Sequence, residues 1–172
     1  VAVGLLVGLA MTAGYRRQRL LSLFDPWSDP LHTGWQAIQA GVAMSNGGLW
    51  GMGLGASRAK WGFLPYAQTD FIFAIVAEEL GFVAAILVVL AFLAIGIIGL
   101  NTALRAPDRF GQLLAAGITT WIVLQAYVNV GAVLGLLPIT GIPLPFLSYG
   151  GSSMVFTLTA YGVLLNIARQ TP

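Results

Sequence analysis

Six acidic side chains serve 172 residues, and three of them, Asp70, Glu78 and Glu79, fall within ten positions of one another. Asp70 follows Thr69 and precedes a long apolar run, in the stretch FLPYAQTDF. A carboxylate at such a boundary can serve as a general base. Thr69 and Asp70 are equally good N-caps for a helix starting at Phe71, and an aspartate there suits the positive end of the helix dipole. Glu78 and Glu79 lie two turns further on. Carboxylates at that depth are costly in hydrocarbon and so are functional candidates, or else interfacial glutamates bonded to amides and hydroxyls of neighbouring segments. Arg58 and Lys60 stand ten to twelve residues before Asp70. They can clamp phosphate, arginine in bidentate fashion and lysine as a point charge, or simply be solvated loop charges. Outside cations with one carboxylate and a polar groove fit an anionic lipid substrate.

Other chemistries are excluded. There is no cysteine, and the single His32 cannot furnish a histidine-rich metal site. The glycine-rich SNGGLWGMGLG is not followed by Lys-Ser/Thr, so it is no phosphate loop. No Ser-His-Asp arrangement is present, and a net charge of +2 gives no argument for nucleic acid.

The elements that must position these residues are membrane helices. The chain is 58% hydrophobic and 8% charged, with a mean hydropathy of +0.85, against about 25% charged residues in a soluble domain. Leu80–Leu100 runs 21 residues without a charge, enough for a helix to cross about 30 Å of hydrocarbon. Leu113–Leu137 is a second uncharged run. Its Gln125 and Asn129, four apart, share a helix face that should look into the bundle rather than at lipid. Ser152–Ala168 is a third. Val1–Ala13 resembles the end of a fourth, and a start at Val1 inside an apolar segment reads as a chain whose amino-terminal part is missing.

Arg105 and Arg109 between two spans, Arg169 after the last, and Arg16, Arg17 and Arg19 after the first all predict cytoplasmic positions. Parity then requires a crossing between Leu20 and Asp70. The one available segment is Gly34–Leu54, glycine-rich and carrying Gln36, Gln39, Ser45 and Asn46. A helix this polar must pack on protein or line a cavity; the alternative is a re-entrant or surface helix. The expected fold is an all-α polytopic bundle, with spans at about 1–14, 34–54, 71–100, 111–137 and 152–168 and outside loops at 55–70 and 138–151. The second loop, with three prolines and SYGGSS, cannot be regular helix.

YRRQRLLSLFDPWSDP, GWQAIQA, SNGGLWGMGLGASRAKWGFLP, TDFIFAIVAEELG and GLLPITGIPLPFLSYGGSS together resemble the SEDS family (shape, elongation, division and sporulation). The resemblance covers essentially the whole chain and corresponds to the carboxy-terminal half of a ten-span protein. GLWGMGLGASRAKWG and the ending LLNIARQ are similar to the division branch, and RAPDRFGQLLAAGITTW to its actinobacterial members.

The resemblance implies a peptidoglycan glycosyltransferase that polymerises lipid II at the outer face of the bacterial cytoplasmic membrane during division. Asp70 matches the family's essential carboxylate, here the general base. The family's Pro-Glu-Ala-His-Thr-Asp pattern stands as Pro65-Tyr66-Ala67-Gln68-Thr69-Asp70, so two polar but uncharged residues replace Glu and His. Arg58 and Lys60 are candidate pyrophosphate contacts. Gln36, Gln39, Glu78, Ser148, Tyr149, Ser152 and Ser153, with Pro143 and Pro145, are candidates to wall the substrate groove. A divalent cation, Mg or Mn, is compatible with neutralising the leaving group, although the sequence has no dedicated cage. The implied partners are a class B penicillin-binding transpeptidase and other divisome proteins, and the chain by itself is expected to be inactive. A lipid II flippase and a division scaffold are the alternatives.

Overall fold

The structure, a computed structural model, describes residues 23–31, 34–62 and 64–171. The expected span at 1–14, Arg16, Arg17, Arg19, His32 and Phe63 lie outside the described residues. All regular elements among the described residues are helical: α1 (Trp35–Gly47), α2 (Ile72–Arg105), α3 (Arg109–Val133) and α4 (Gly151–Gln170), with 3-10 turns at Pro26–Ser28 and Ala59–Trp61. Helices α2, α3 and α4 are each long and apolar enough to cross a membrane, as an all-α membrane bundle requires.

The connection from α2 to α3 is dictated locally. Ala106 precedes Pro107 and is extended (φ −61°, ψ 138°), because a residue before proline is pushed out of the helical region. Asp108 then caps α3, its Oδ2 accepting from Gly111 N at 2.8 Å. The two helices form a tight antiparallel pair whose seam is made of small residues. A Cβ on Gly99 would lie 2.2 Å from Thr119 Oγ1, and one on Gly96 would lie 3.2 Å from Val123. Leu87, Leu93, Ile97, Ile98 and Leu104 point outward, whereas Gly96, Gly99 and Ala103 are buried. This is the distribution of a helix solvated by lipid, where close backbone approach rather than bulk hydrophobicity joins helices. Helix α4 closes the bundle through Leu164 and Ile167 against Ala103, Ala106 and Ala115.

That packing sorts the molecule into two ends. Arg105, Arg109 and Arg169 lie at one end, where α2 stops, α3 starts and α4 stops. Asp70 and the 134–150 connection lie at the other.

Within the expected span at 71–100, α2 has one break. Gly81 has φ 82° and ψ −179° inside α2. In a continuous helix Glu78 O and Glu79 O would accept from Phe82 N and Val83 N. Instead they accept from Met52 N and Gly53 N, each at 3.0 Å, while Phe82 N donates to Gly48 O (2.9 Å) and Val83 N to Leu49 O (3.4 Å). Segment 48–53 therefore takes up these four backbone groups, as irregular backbone in a bundle must arrange. The fit requires glycine on both sides: a Cβ on Gly51 would lie 2.2 Å from Glu79 O, and one on Gly81 2.4 Å from Gly51 N. Helix α1 is consequently shorter than the 34–54 expectation. It ends at Gly47 and covers about 20 Å, with the remainder inserted at the break.

Candidate functional site

Asp70 sits in a chain of turns just before α2. Tyr66 O accepts from Thr69 N (3.1 Å), Asp70 N (3.0 Å) and Phe71 N (3.4 Å), and Thr69 Oγ1 donates to it as well (3.2 Å). This winding needs a left-handed residue, and Tyr66 takes φ 56°, a conformation non-glycine residues adopt rarely. Neither Thr69 nor Asp70 is the cap that their types suggested. The N-cap is Phe71, without a side-chain cap bond.

The carbonyls of Gln68, Thr69 and Asp70 are fixed from outside. Tyr149 N donates to Gln68 O at 2.9 Å. Ser148 Oγ donates to Thr69 O at 2.5 Å while accepting from Leu144 N at 2.6 Å. Asn129 Nδ2 donates to Asp70 O and to Ile142 O, each at 2.7 Å. One turn earlier on α3, Gln125 Nε2 donates to Pro143 O at 2.9 Å. The proline-rich connection is itself anchored by Phe146 (φ 63°), whose ring stacks on Phe92 at 6.5 Å and meets Tyr161 edge-on at 5.4 Å.

The result is a carboxylate on a rigid mount. It is partly exposed in a small cleft with Asn129, Ile139, Thr140, Gly141 and Ile142. It makes no ion pair and no side-chain hydrogen bond among the described residues, and Gly141 approaches so closely that a Cβ there would stand 3.4 Å from Asp70 Oδ2. A carboxylate neither capping a helix nor paired with a cation is available to take a proton.

The other sequence candidates divide. Glu78, 1% exposed, accepts from Ser57 Oγ, from Arg58 N at 3.3 Å and from Ala59 N at 3.3 Å. Glu79 pairs with Lys60 Nζ at 2.8 Å and accepts from Ser57 N at 3.3 Å, and Lys60 also donates to Gly55 O at 2.6 Å. Both glutamates are thus occupied by the 55–61 loop, as the bonded-neighbour alternative required. Glu78 and Lys60 tie that loop to α2, and Glu78 also borders the cavity that Arg58 lines.

Arg58 is exposed, and its side chain makes no hydrogen bond or ion pair among the described residues. It lines a cavity of about 230 Å³ with Gln39, Val42, Ala43, Asn46, Ala59 and Glu78. That cavity shares no lining residue with the Asp70 cleft. Gln36 is half-buried on α1 and stands outside both linings.

Ser148, 4% exposed, is turned inward and holds the mount. Pro143 serves through its carbonyl, and Pro145 is buried. Tyr149 and Ser152 are exposed beside the mount, and Ser153 is half-buried. No three acidic or imidazole groups converge on a metal site among the described residues. Asn129 was legible as an inward-facing amide, but its bond to Asp70 crosses 59 positions and has no local signal.

Comparisons with known proteins fit this geometry. A family model for FtsW, RodA and SpoVE, described as cell cycle proteins, matches residues 1–172. Stage V sporulation protein E of Bacillus subtilis is 53% identical over 165 residues, covering 96% of this chain and 45% of the relative. A probable peptidoglycan glycosyltransferase FtsW of Geobacter metallireducens is 50% identical, covering 94% of this chain and 43% of the relative. The corresponding protein of Mycobacterium tuberculosis is 46% identical, covering 95% and 31%. A solved chain, from work on "Structural coordination of polymerization and crosslinking by a peptidoglycan synthase complex", superposes with a TM-score of 0.71 at 32% identity, covering 98% of this chain and 46% of that one. The chain therefore spans less than half the length of each of these relatives.

Proposed function

The chain belongs to the FtsW/RodA/SpoVE family of cell cycle proteins, and on that premise we propose that it carries the catalytic base of a peptidoglycan glycosyltransferase that uses lipid II. The observation that carries this reading is the mount of Asp70: three successive carbonyls are held by Tyr149, Ser148 and Asn129, leaving the carboxylate free at a cleft. Preorganised placement of one proton acceptor is what such a transfer asks of the protein.

In this mechanism a sugar hydroxyl of the acceptor gives its proton to the Asp70 carboxylate. Its oxygen forms a bond to the anomeric carbon of the donor glycan lipid. The bond from that carbon to the pyrophosphate breaks, and the electron pair leaves with the pyrophosphate. This leaving group needs charge neutralisation more than protonation, so one carboxylate suffices where a glycosidase needs two. Arg58 is assigned to pyrophosphate contact as the cation left unpaired on its loop. Tyr149, Ser152, Ser153, Gln36 and Gln39 remain assigned to the walls of the groove. No step is routed through a divalent ion.

The end bearing Arg105, Arg109 and Arg169 is assigned to the cytoplasm by the positive-inside rule, which places Asp70 at the outer face of the bacterial cytoplasmic membrane. The 34–54 segment then supplies the remaining crossing. A class B penicillin-binding transpeptidase and other divisome proteins are the proposed partners, and division the proposed role. The test is polymerisation of lipid II by the purified full-length protein in detergent, where there is no membrane to cross. Glycan polymer supports the enzyme. Absence of polymer together with transfer of lipid II across vesicle bilayers replaces it with a flippase, and absence of both leaves the scaffold.

A further inference from the structure

Asn129 is 2% exposed, and its Oδ1 has no hydrogen-bond donor among the described residues. The orientation of the amide is fixed, because Nδ2 gives its two protons to two carbonyl oxygens, Asp70 O and Ile142 O, that could not accept from an oxygen. The orphan acceptor is therefore genuine. An unsatisfied buried acceptor is costly, and native structures fill such sites with ordered water when there is room. Asn129 lines the Asp70 cleft, whose interior is about 10 Å³, space for one water and no more. The cleft is walled by Asp70, Phe71, Thr140 and Gly141.

We propose that this cleft is a one-water site in which the water donates to Asn129 Oδ1 and to the Asp70 carboxylate, making Asn129 a positioning residue for Asp70 on two sides. The Asn129 amide fixes the Asp70 backbone carbonyl, and the bridging water fixes the carboxylate. The inference rests on Asp70 being the base.

Gln125 is the internal control. It also crosses from α3 to the proline-rich connection, through Pro143 O at 2.9 Å, but makes no hydrogen bond to Asp70 among the described residues and does not line its cleft. The first measurement is an experimental structure of the wild-type full-length protein at a resolution that shows other buried waters. The expected result is one water within hydrogen-bond distance of Asn129 Oδ1 and the Asp70 carboxylate. A dry cleft, or a water bonded to neither group, overturns the proposal without reference to activity.

The second measurement is steady-state polymerisation of lipid II by full-length Asn129→Leu and Gln125→Leu, each corrected for the folded fraction. Displacement of a reacting group costs about 100-fold per ångström, so kcat of Asn129→Leu should fall at least ~10-fold below that of Gln125→Leu, with KM unchanged within about twofold. Asn129→Ser, a smaller change that leaves space for additional water, serves if Asn129→Leu does not fold, and its kcat should lie between the two. Equal losses in the Asn129 and Gln125 variants reduce Asn129 to a staple and overturn the proposal. Asp70→Asn assayed alongside separates the two failures: if it stays active, the base assignment falls, and if it is dead while the Asn129 and Gln125 variants match, only the present inference falls.

Discussion

Gly51→Ala tests the interlocked break in α2, and Gly53→Ala is its control. Both glycines are left-handed, with φ of 82° and 105°, so alanine at either position bears a backbone cost of about 1–2 kcal/mol. Only Gly51 is crowded: its Cβ would lie 2.2 Å from Glu79 O, whereas nothing lies within 4 Å of a Cβ on Gly53. Relieving that overlap moves segment 48–53 away from residues 78–83 and strains the four bonds between them, Met52–Glu78, Gly53–Glu79, Phe82–Gly48 and Val83–Leu49. A buried backbone group left unpaired costs about 1–3 kcal/mol. Two such groups left unpaired therefore add roughly 2–6 kcal/mol at Gly51 and nothing at Gly53. The assay is reversible denaturant unfolding of the full-length protein in detergent. Gly51→Ala should be less stable than Gly53→Ala by at least ~2 kcal/mol. Equal destabilisation of the two would refute the interlocked geometry.

Three further outcomes follow from the same contacts. Glu78→Gln turns one of the oxygens that accept from Ser57, Arg58 and Ala59 into a donor; a loss of roughly 1.5–3 kcal/mol raises opening of the 55–61 loop about tenfold or more, read as faster tryptic cleavage after Arg58 or Lys60. Thr119→Val removes a buried hydroxyl without a partner among the described residues and should leave thermal stability unchanged or raise it by up to about 1 kcal/mol, whereas Gly99→Ala, meeting Thr119 Oγ1 at 2.2 Å, should destabilise by about 1–3 kcal/mol. Lys60→Met, which breaks the pair with Glu79, should leave KM for lipid II within about twofold, while Arg58→Met raises it about tenfold, the loss of one phosphate contact; the reverse order would return Lys60 to the pyrophosphate.

The membrane class and the long helices were legible because each rests on a local property: long uncharged apolar runs, with Arg105, Arg109 and Arg169 at their ends. The resemblance to a known family was equally legible, since its motifs are contiguous. The break at Gly81 was not. A lone glycine in an apolar run is compatible with helix, and what enforces the break is segment 48–53, about thirty residues earlier. Asp70 and Thr69 carried strong capping types, yet the turn initiated by Tyr66 shifts the N-cap to Phe71. Tyr66 and Gln68 looked like replacements for charged side chains, and their structural work is done by backbone: Tyr66 O closes the turn and Gln68 O receives Tyr149 N. Glu78 and Lys60 were legible as unusual charges but not as partners of loop 55–61. Sequence spacing does not say which of several nearby opposite charges and donors a carboxylate will meet.

The central claim is that Asp70 is a base held by its surroundings rather than a structural carboxylate. Since its side chain bonds no described group, Asp70→Asn removes proton affinity while keeping the size and the mount. Rates of lipid II polymerisation by full-length wild-type protein and Asp70→Asn, at matched folded concentration, are the decisive comparison. The account predicts unchanged thermal stability and a fall in kcat of at least ~100-fold, the lower range for loss of a general base. A variant that polymerises lipid II within about tenfold of wild type would contradict it.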